Sequence, residues 1–567
     1  MVLAIGWLAR LVAPPIAGGD TAFEVVAALG FTDLAPALAL LALCVLLMFW
    51  PERHGAIVAD APVARGSALH GTAGLGGDAE LRDLVWRPAR RGGFAIRIER
   101  RDAPVPLPDS LAPGAALVGT HGRAAIVLPR SLAVRHGYIL GPSGSGKTRG
   151  FFLPNCLLNR AGSFVATDPK GELWAHTSGA HARAWRFAPS QPDASLPFNP
   201  IPLCRDEMVA RLAATAALHY DDDRLEQKYR VNNGLALCAA LFAYAAHSDV
   251  PTLATVHNLL EARDLLARLA GSPSRAVRRA ALHLGDIQRE HFASCRTGVA
   301  GKLDWLNRPS IRRFTSATTA PIDFAPLRER PTAVYLCLNE QDMTVLPGLI
   351  GLFWTILLHQ LINSTGPVPL TLLLDEFTNT GKIPNFAQLH AVARGREIAL
   401  WLGLQSVGQL DALYGRDAAR TIRDNSTTKL VLAGLDHTSA EEISQALGEG
   451  TALVKRETRT PEGWLSTRVS YSDHEVARRV LTADEVRRLP DDELLMIAAN
   501  RRPLRLRRAS RSWAPCAAVT SALGEELALD NPQSPSDLTL PALPAPPVWP
   551  RRSKRSVSGK ETGHGGA

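Results

Sequence analysis

The chain has 567 residues, too many for one ordinary domain, so two or three folded units are expected. Hydrophobic residues make up 46% and charged residues 21%, which excludes a wholly disordered or collagen-like chain. A formal net charge of +9 is mild for this length and suits either an anionic partner (nucleic acid or anionic lipid) or plain solubility charge. The seven cysteines, Cys44, Cys156, Cys204, Cys238, Cys295, Cys337 and Cys516, stand apart with no C-x-x-C pair. Neither a disulfide framework nor a zinc cluster is expected, and a reducing compartment suits the main body.

Residues 34–50, LAPALALLALCVLLMFW, carry no charge and end in an aromatic pair suited to a membrane interface. The run is near the lower limit for crossing about 30 Å of hydrocarbon. A buried core helix would normally keep one polar face, so a membrane span is the better reading. Residues 2–17 form a weaker apolar run, interrupted by Arg10 and the pair Pro14 and Pro15, and would make the first half of a hairpin. Arg53 and Arg65 follow the clear span, a bias that puts the large C-terminal part in the cytoplasm. Residues 1–52 are therefore read as a membrane anchor and 53–114 as a Gly/Ala-rich neck or linker, with arginines clustered in 86–101.

From about Ala115 strand patterns appear: AAIVLP, then HGYILG running into a glycine loop, then SFVATD at 163–168. Strand, loop, helix and strand is the opening of a wound α/β domain. Residues 204–308 change character, with apolar residues at helical spacing and no convincing strand, and are read as an all-helical insertion. Strand signals return with TAVYLCL, followed by an apolar helix near 346–361 and the strand of TLLLDEF. Residues 115–203 and 309–525 thus form one α/β domain interrupted by the 204–308 insertion. Residues 526–567, proline-rich with a basic RRSKR, are expected to be a disordered tail.

The glycine loop, Gly141, Pro142, Ser143, Gly144, Ser145, Gly146, Lys147 and Thr148, matches G-x-x-x-x-G-K-[ST] without a mismatch. Glycines let backbone N–H groups turn inward around phosphates, and the helix that follows adds a favourable dipole for an anion. Lys147 would reach the β- and γ-phosphates, and the Thr148 hydroxyl would ligate Mg²⁺. A flexible Gly-Ser turn is the plainer alternative, disfavoured by the strand before the loop and the helix after it. The partner element is Asp375–Glu376 after a buried-strand run, with Asp375 on Mg²⁺ and Glu376 polarising the attacking water. An acid at a strand end is unremarkable alone; paired with this loop in this order it carries weight.

Beyond the acids, NFAQLHAVARGRE is read as a helix stopped at Gly395, then a strand 398–404 ending at Gln405. Arg394 and Arg396 either cap the helix's negative end or reach a neighbouring subunit's γ-phosphate. Gln405, at a strand's carboxyl end, would orient water or sense the γ-phosphate, or is an ordinary polar strand end. Thr482 and Glu485 make a capping box. Arg501, Arg502, Arg505, Arg507 and Arg508, with the 87–101 cluster, are candidates for a phosphate-backbone surface, or are solvated basic loops.

The segments ILGPSGSGKTRGFFLPN, VATDPKGEL, FNP, LLLDEF, ARGREIALWLGLQSVGQLDALYG and LTADEVRRLPDDE together resemble the TraG-like coupling proteins of type IV secretion and conjugation, relatives of the FtsK and HerA translocases. The resemblance spans about 138–508. It implies a RecA-like P-loop NTPase core with a parallel-rich sheet, an inserted all-alpha domain and an N-terminal anchor in the inner membrane. It also implies a homohexamer with ATP and Mg²⁺ at subunit interfaces. By position, Lys147 and Thr148 hold phosphate and metal, Asp375 and Glu376 form the acidic pair, Arg396 is the trans-acting arginine with Arg394 as the alternative, and Gln405 is the glutamine motif. Asp168, Lys170 and Glu172 belong to a signature with no assigned chemistry. The family usually has two clear membrane spans, and here the first is short and broken. Implied partners are single-stranded DNA carried by a relaxase, and the components of the secretion channel. Delivery of effector proteins, or a docking scaffold merely stabilised by nucleotide, are the alternatives; an intact Glu376 speaks against the scaffold.

Overall fold

A computed structural model describes residues 73–86, 108–122, 124–218, 225–379, 381–461, 467–498 and 500–509. The apolar runs 2–17 and 34–50, most of the neck and the tail 526–567 lie outside the described residues. Among the described residues no helix is long and apolar enough to cross a membrane. The chain divides into two units: residues 66–452 with 473–567, and residues 1–65 with 453–472. Of the second unit, the described part is the outer portion of a long hairpin, strands Glu449–Pro461 and Thr467–Arg479, which pair with each other.

The first unit is built on a twelve-stranded sheet. In chain order its strands are β1 (Val85–Trp86), β2 (Ala116–His121), β3 (Ala124–Leu128), β4 (Gly137–Leu140), β5 (Ser163–Thr167), β6 (Ala184–Phe187), β7 (Ala333–Leu336), β8 (Leu370–Leu374), β9 (Ile398–Leu404) and β10 (Thr428–Leu432). With the hairpin strands as β11 and β12, the last two are β13 (Glu493–Ala498) and β14 (Leu504–Arg507). The spatial order is β1-β3-β2-β14-β13-β10-β4-β9-β8-β5-β7-β6. From β10 to β6 neighbouring strands are parallel, and from β13 outward to β1 they are antiparallel.

The central strands read as near-continuous apolar runs because both faces are covered: GYIL, SFVAT and LTLLL are buried throughout. Side chains alternate between two cores, as the two-residue period requires. Tyr138, Leu140, Val165, Leu372 and Leu374 face one core, while Ile139, Phe164, Ala166 and Leu373 face the other with Phe151, Phe152 and Trp401. At the antiparallel end β14 is wet on one face: Leu504 and Leu506 are buried, Arg505 and Arg507 exposed. The stretch taken from sequence as a basic surface is therefore in part a strand. Its two leucines, spaced by arginines, carry a period-two pattern too short to stand out.

Between β6 and β7 every described element is helical, from Glu207–Leu218 through Leu225–Ala246 and Arg289–Lys302 to Pro309–Ser316. This block seats on the apolar helix Pro347–Asn363. A Cβ on Gly351 would stand 3.2 Å from the Ala216 carbonyl oxygen, and one on Gly348 would collide with that of Ala217. Small residues, Ala213, Ala214, Ala216 and Ala217, all buried, let the two helices approach closely. Helices and sheet share one continuous apolar core, in which Phe187, Phe242, Trp305 and Trp354 all take part.

Candidate nucleotide site

The site lies at the carboxyl ends of the parallel strands, where the crevice of a wound sheet takes its ligands. Register aligns the contributors: Leu140 of β4 stands beside Leu404 of β9, Leu402 of β9 beside Leu374 of β8, and Leu374 beside Thr167 of β5. The loop after β4, the acids after β8, Gln405 after β9 and Asp168 after β5 therefore emerge side by side.

The loop Gly141–Thr148 wraps back on itself because Gly144 and Gly146 take φ of +77° and +87°. Those left-handed values are ones that side-chain-bearing residues rarely adopt. The Lys147 ammonium is buried, donating to the carbonyl oxygens of Gly141 at 2.7 Å and Pro142 at 3.0 Å. Burial lowers its pKa, an effect opposed by the carboxylates of Asp375 and Glu376 and reinforced by Lys170. The helix begins with a wide turn, Thr148–Phe152, before Leu153–Leu158. Asn155 on that helix holds it to β2. Its Oδ1 accepts from the Leu117 N–H, and its Nδ2 donates to the Leu117 carbonyl, both at 2.8 Å.

Thr148 Oγ1 donates to Asp375 Oδ2 at 2.5 Å. Asp375 is buried, its carbonyl taken by the Thr167 hydroxyl at 2.7 Å and its Oδ1 by the Glu376 N–H at 2.9 Å. Burial pushes its pKa up to about 6, against the Thr148 hydrogen bond and the Lys147 charge. Gly403 of β9 leaves room for this carboxylate, since a Cβ there would stand 2.9 Å from Asp375 Oδ1. Glu376 turns into the left-handed region (φ +49°), and its Oε2 accepts from Asn379 Nδ2 at 3.1 Å. Gln405 Oε1 accepts from Gln409 Nε2 at 3.3 Å, and Gln409 Oε1 in turn from the Thr378 hydroxyl at 3.2 Å. That relay ties the end of β9 to the segment behind Glu376; sequence patterns carried no sign of it.

The donor set fits Mg²⁺ with a nucleotide. One hydroxyl and one carboxylate, already in contact, are the hard oxygen ligands that magnesium takes alongside phosphate. The loop also holds a buried Ser145 hydroxyl with no hydrogen-bond partner.

Asp168 serves a local purpose: its carboxylate accepts from the N–H groups of Trp174 at 2.8 Å and Leu173 at 3.2 Å, capping the helix Glu172–Thr177. Lys170 is exposed on the intervening turn, which passes through Gly171 at φ +73°.

Arg394 and Arg396 stand elsewhere. They form the turn Arg394–Arg396 before the amino end of β9, and the seven residues of β9 separate them from Gln405. At about 3.3 Å per residue, that is more than 20 Å from this chain's own loop. Both side chains are exposed. The helix Phe386–Ala393 is not stopped by Gly395: Glu397 takes the left-handed position (φ +56°), held by Arg130 Nη2 at 2.5 Å. Buried Arg328 donates from Nη2 to the Arg396 carbonyl at 2.8 Å and fixes this turn from behind. Of the arginines taken for a phosphate-backbone surface, Arg501 pairs with Asp83 and Arg505 with Glu493, while Arg508 donates to the Ser145 carbonyl of the loop.

A parallel sheet with this loop on one strand and paired acids two strands away defines a RecA-like P-loop nucleotide-binding domain. Residues 118–511 match the family model described as "Type IV secretory system Conjugative DNA transfer", and the chain belongs to that family. Among its relatives, protein VirD4 of Rhizobium radiobacter is 24% identical over 397 residues, covering 66% of this chain and 56% of the relative. Conjugal transfer protein TraG of Escherichia coli is 27% identical over 396 residues, covering 63% and 62%. The chain thus matches a little over half the length of these relatives. Among solved structures, plasmid coupling protein TrwB in complex with the non-hydrolysable ATP analogue ADPNP aligns with a TM-score of 0.56 at 18% identity, over 79% of this chain and 95% of that one. The unbound form of TrwB lacking its N-terminus aligns at 0.55 and 21% identity, over 67% and 86%.

Proposed function

We propose that this protein is an ATP-hydrolysing coupling protein, anchored in the bacterial inner membrane with its large part in the cytoplasm. It would recruit a relaxase–DNA complex and drive single-stranded DNA into a type IV secretion channel as a homohexamer. The observation that carries the reading is the joined pair Thr148–Asp375 with Glu376 beside it, opposite a buried Lys147. In this site the loop N–H groups hold the phosphates and Lys147 turns its ammonium from the Gly141 and Pro142 carbonyls onto the β- and γ-oxygens. Glu376 takes the proton of the attacking water, and Gln405 orients that water. Thr148 and Asp375 would hold Mg²⁺, which neutralises phosphate charge when bound. ATP rather than another nucleoside triphosphate is part of the proposal.

Removing a general base typically costs about 10²- to 10⁴-fold in turnover. Glu376→Gln is therefore expected to keep nucleotide binding and lose hydrolysis and DNA transfer together, measured by phosphate release and by mating. Transfer that survives without hydrolysis would sink the motor reading. A protein client is the second reading, and one observation favours it: Arg501, Arg505 and Arg508 are engaged within the chain, which thins the basic surface available to DNA. Single-stranded DNA binding that weakens steeply with salt would restore the DNA reading.

A further inference from the structure

Arg508 directly follows β14, and its role is set by the order of the strands. The phosphate loop leaves β4; the acids leave β8, with β9 between; Arg508 arrives from the opposite direction, across β10 and β13. Its backbone N–H donates to the Asp492 carbonyl at 2.8 Å, which fixes where the side chain starts. The guanidinium then lies on the loop, donating from Nη1 to the Ser145 carbonyl, and a Cβ on Gly146 would strike that same nitrogen. The aliphatic stem runs along Gly150, where a Cβ would meet Cδ at 3.7 Å. Gly150 lies outside the eight-residue loop motif, and the missing side chain there gives the arginine its bed. Arg508 Nε is buried with no hydrogen-bond partner, so the protein by itself leaves this guanidinium incompletely satisfied.

We infer that Arg508 is a direct contact for the α-phosphate and nucleoside end of the bound nucleotide. This rests on the nucleotide-binding reading above. A triphosphate gripped by the loop must point its γ-phosphate at Asp375 and Glu376, on the β8 side. Its nucleoside half then leaves on the other side, toward β10, β13 and β14, where Arg508 sits. In that reading Lys147 serves the β- and γ-phosphates and Thr148 the magnesium, so the far end needs its own cation. Arginine suits it, with planar donors for a phosphate oxygen and a flat face for a base.

The contact is blind to the γ-phosphate, and that makes it testable on the full chain with fluorescent ADP and a non-hydrolysable fluorescent ATP analogue. Arg508→Ala is expected to weaken both by the same factor, about 10- to 100-fold for a lost charge-assisted contact, and to raise KM for ATP with kcat little changed. Arg508→Lys should recover part of the loss. Inorganic pyrophosphate, competing for the loop without a nucleoside, separates contact from mere bracing. A direct contact leaves its affinity unchanged in Arg508→Ala, and a brace for the loop weakens it as much as ADP. Wild-type protein that binds no nucleotide would fail the functional reading itself. Wild-type binding with equal ADP affinity in Arg508→Ala, a loss confined to the ATP analogue, or a parallel loss of pyrophosphate would overturn this inference alone. A melting temperature matching wild type in Arg508→Lys guards against a folding defect.

Discussion

Thr148 and Asp375, 227 residues apart in sequence, share a 2.5 Å hydrogen bond in which the hydroxyl donates to a buried carboxylate. Both are hard oxygens of the kind magnesium takes alongside phosphate, so this contact marks the proposed metal position.

The pH behaviour of Asp375 follows. Burial raises its pKa to about 6 from the ordinary aspartate value of 3.8. The folded state therefore holds this proton more tightly than the unfolded chain does. For an acid so raised, the stabilisation from protonation is complete below about 4 and is lost as pH rises through about 6. At about 1.4 kcal/mol per pH unit, the ionised carboxylate costs the fold about 2–3 kcal/mol at pH 8. Asp375→Asn should therefore melt higher than wild type at pH 8, while at pH 4 the gap closes. The same substitution should abolish Mg²⁺-dependent hydrolysis. A lower melting point at pH 8 would show that the carboxylate is stabilised there by its neighbours after all.

Gly403 makes room for that carboxylate. A methyl group added there would sit 2.9 Å from Asp375 Oδ1, 3.1 Å from Phe152 Cε2 and 3.2 Å from the Glu376 nitrogen. Overpacking of this kind costs about 1–3 kcal/mol. Gly403→Ala should lower the melting temperature modestly and hydrolysis severely, because the atoms that must give way are the proposed metal ligand and the segment carrying the proposed base. Turnover at the wild-type rate would mean that the strands absorb the methyl without moving the acids.

Legibility of the site in the sequence divides along a physical line. Lys147, Thr148, Asp375, Glu376 and Gln405 can be picked out because their side-chain types suit the proposed chemistry and stand at fixed offsets from apolar strands. The central strands were legible for the same reason, as the unbroken runs GYIL, SFVAT and LTLLL. Arg328, Arg508 and Asn155 act by donating to backbone carbonyls of Arg396, Ser145 and Leu117, and a carbonyl has no residue-type signature. The helix stop expected at Gly395 falls at Glu397 instead, for a related reason. Glycine is the usual left-handed residue, whereas here an ion pair to Arg130 helps hold Glu397 in that conformation. The 13-residue strands of the hairpin carry charges that interrupt any apolar alternation, so no strand pattern marks them in the sequence.

Asn155 is the clearest case of a structural residue in a functional motif. Three of its polar contacts, each at 2.8 Å, are to backbone: the Leu117 N–H, the Leu117 carbonyl and the Phe151 carbonyl. All are buried, so Asn155→Leu strands polar groups that water cannot reach, at about 1–3 kcal/mol for each. We expect a melting drop larger than that of Gly403→Ala, with nucleotide affinity falling as the loop's helix loosens from β2. Asn155→Asp should do worse still, since it removes the donors and buries a charge. Wild-type stability in Asn155→Leu would mean that β2 does not need the tie.

The placement of Arg394 and Arg396 makes the sharpest claim about assembly. Exposed, more than 20 Å from the loop of their own chain by the length of β9, they can reach phosphate only in another subunit. Arg328 holds their turn through the Arg396 carbonyl, so the turn is presented as a fixed element. Arg396→Ala is expected to bind nucleotide normally and to lose about 10³-fold or more in turnover, as trans-acting arginines do where they operate. Lys147→Ala has the reverse defect, a dead loop beside an intact arginine. Mixed in one assembly, the two variants should recover part of the activity that each lacks, because some interfaces then pair a working loop with a working arginine. Arg394→Ala, run in the same mixture, decides which of the two arginines reaches across. Arg328→Met should slow turnover without changing ADP affinity, since it frees the turn and leaves the loop untouched. If neither arginine variant is complemented by Lys147→Ala while both still assemble, the turn does not serve a neighbour's site and its arginines only close the end of a helix.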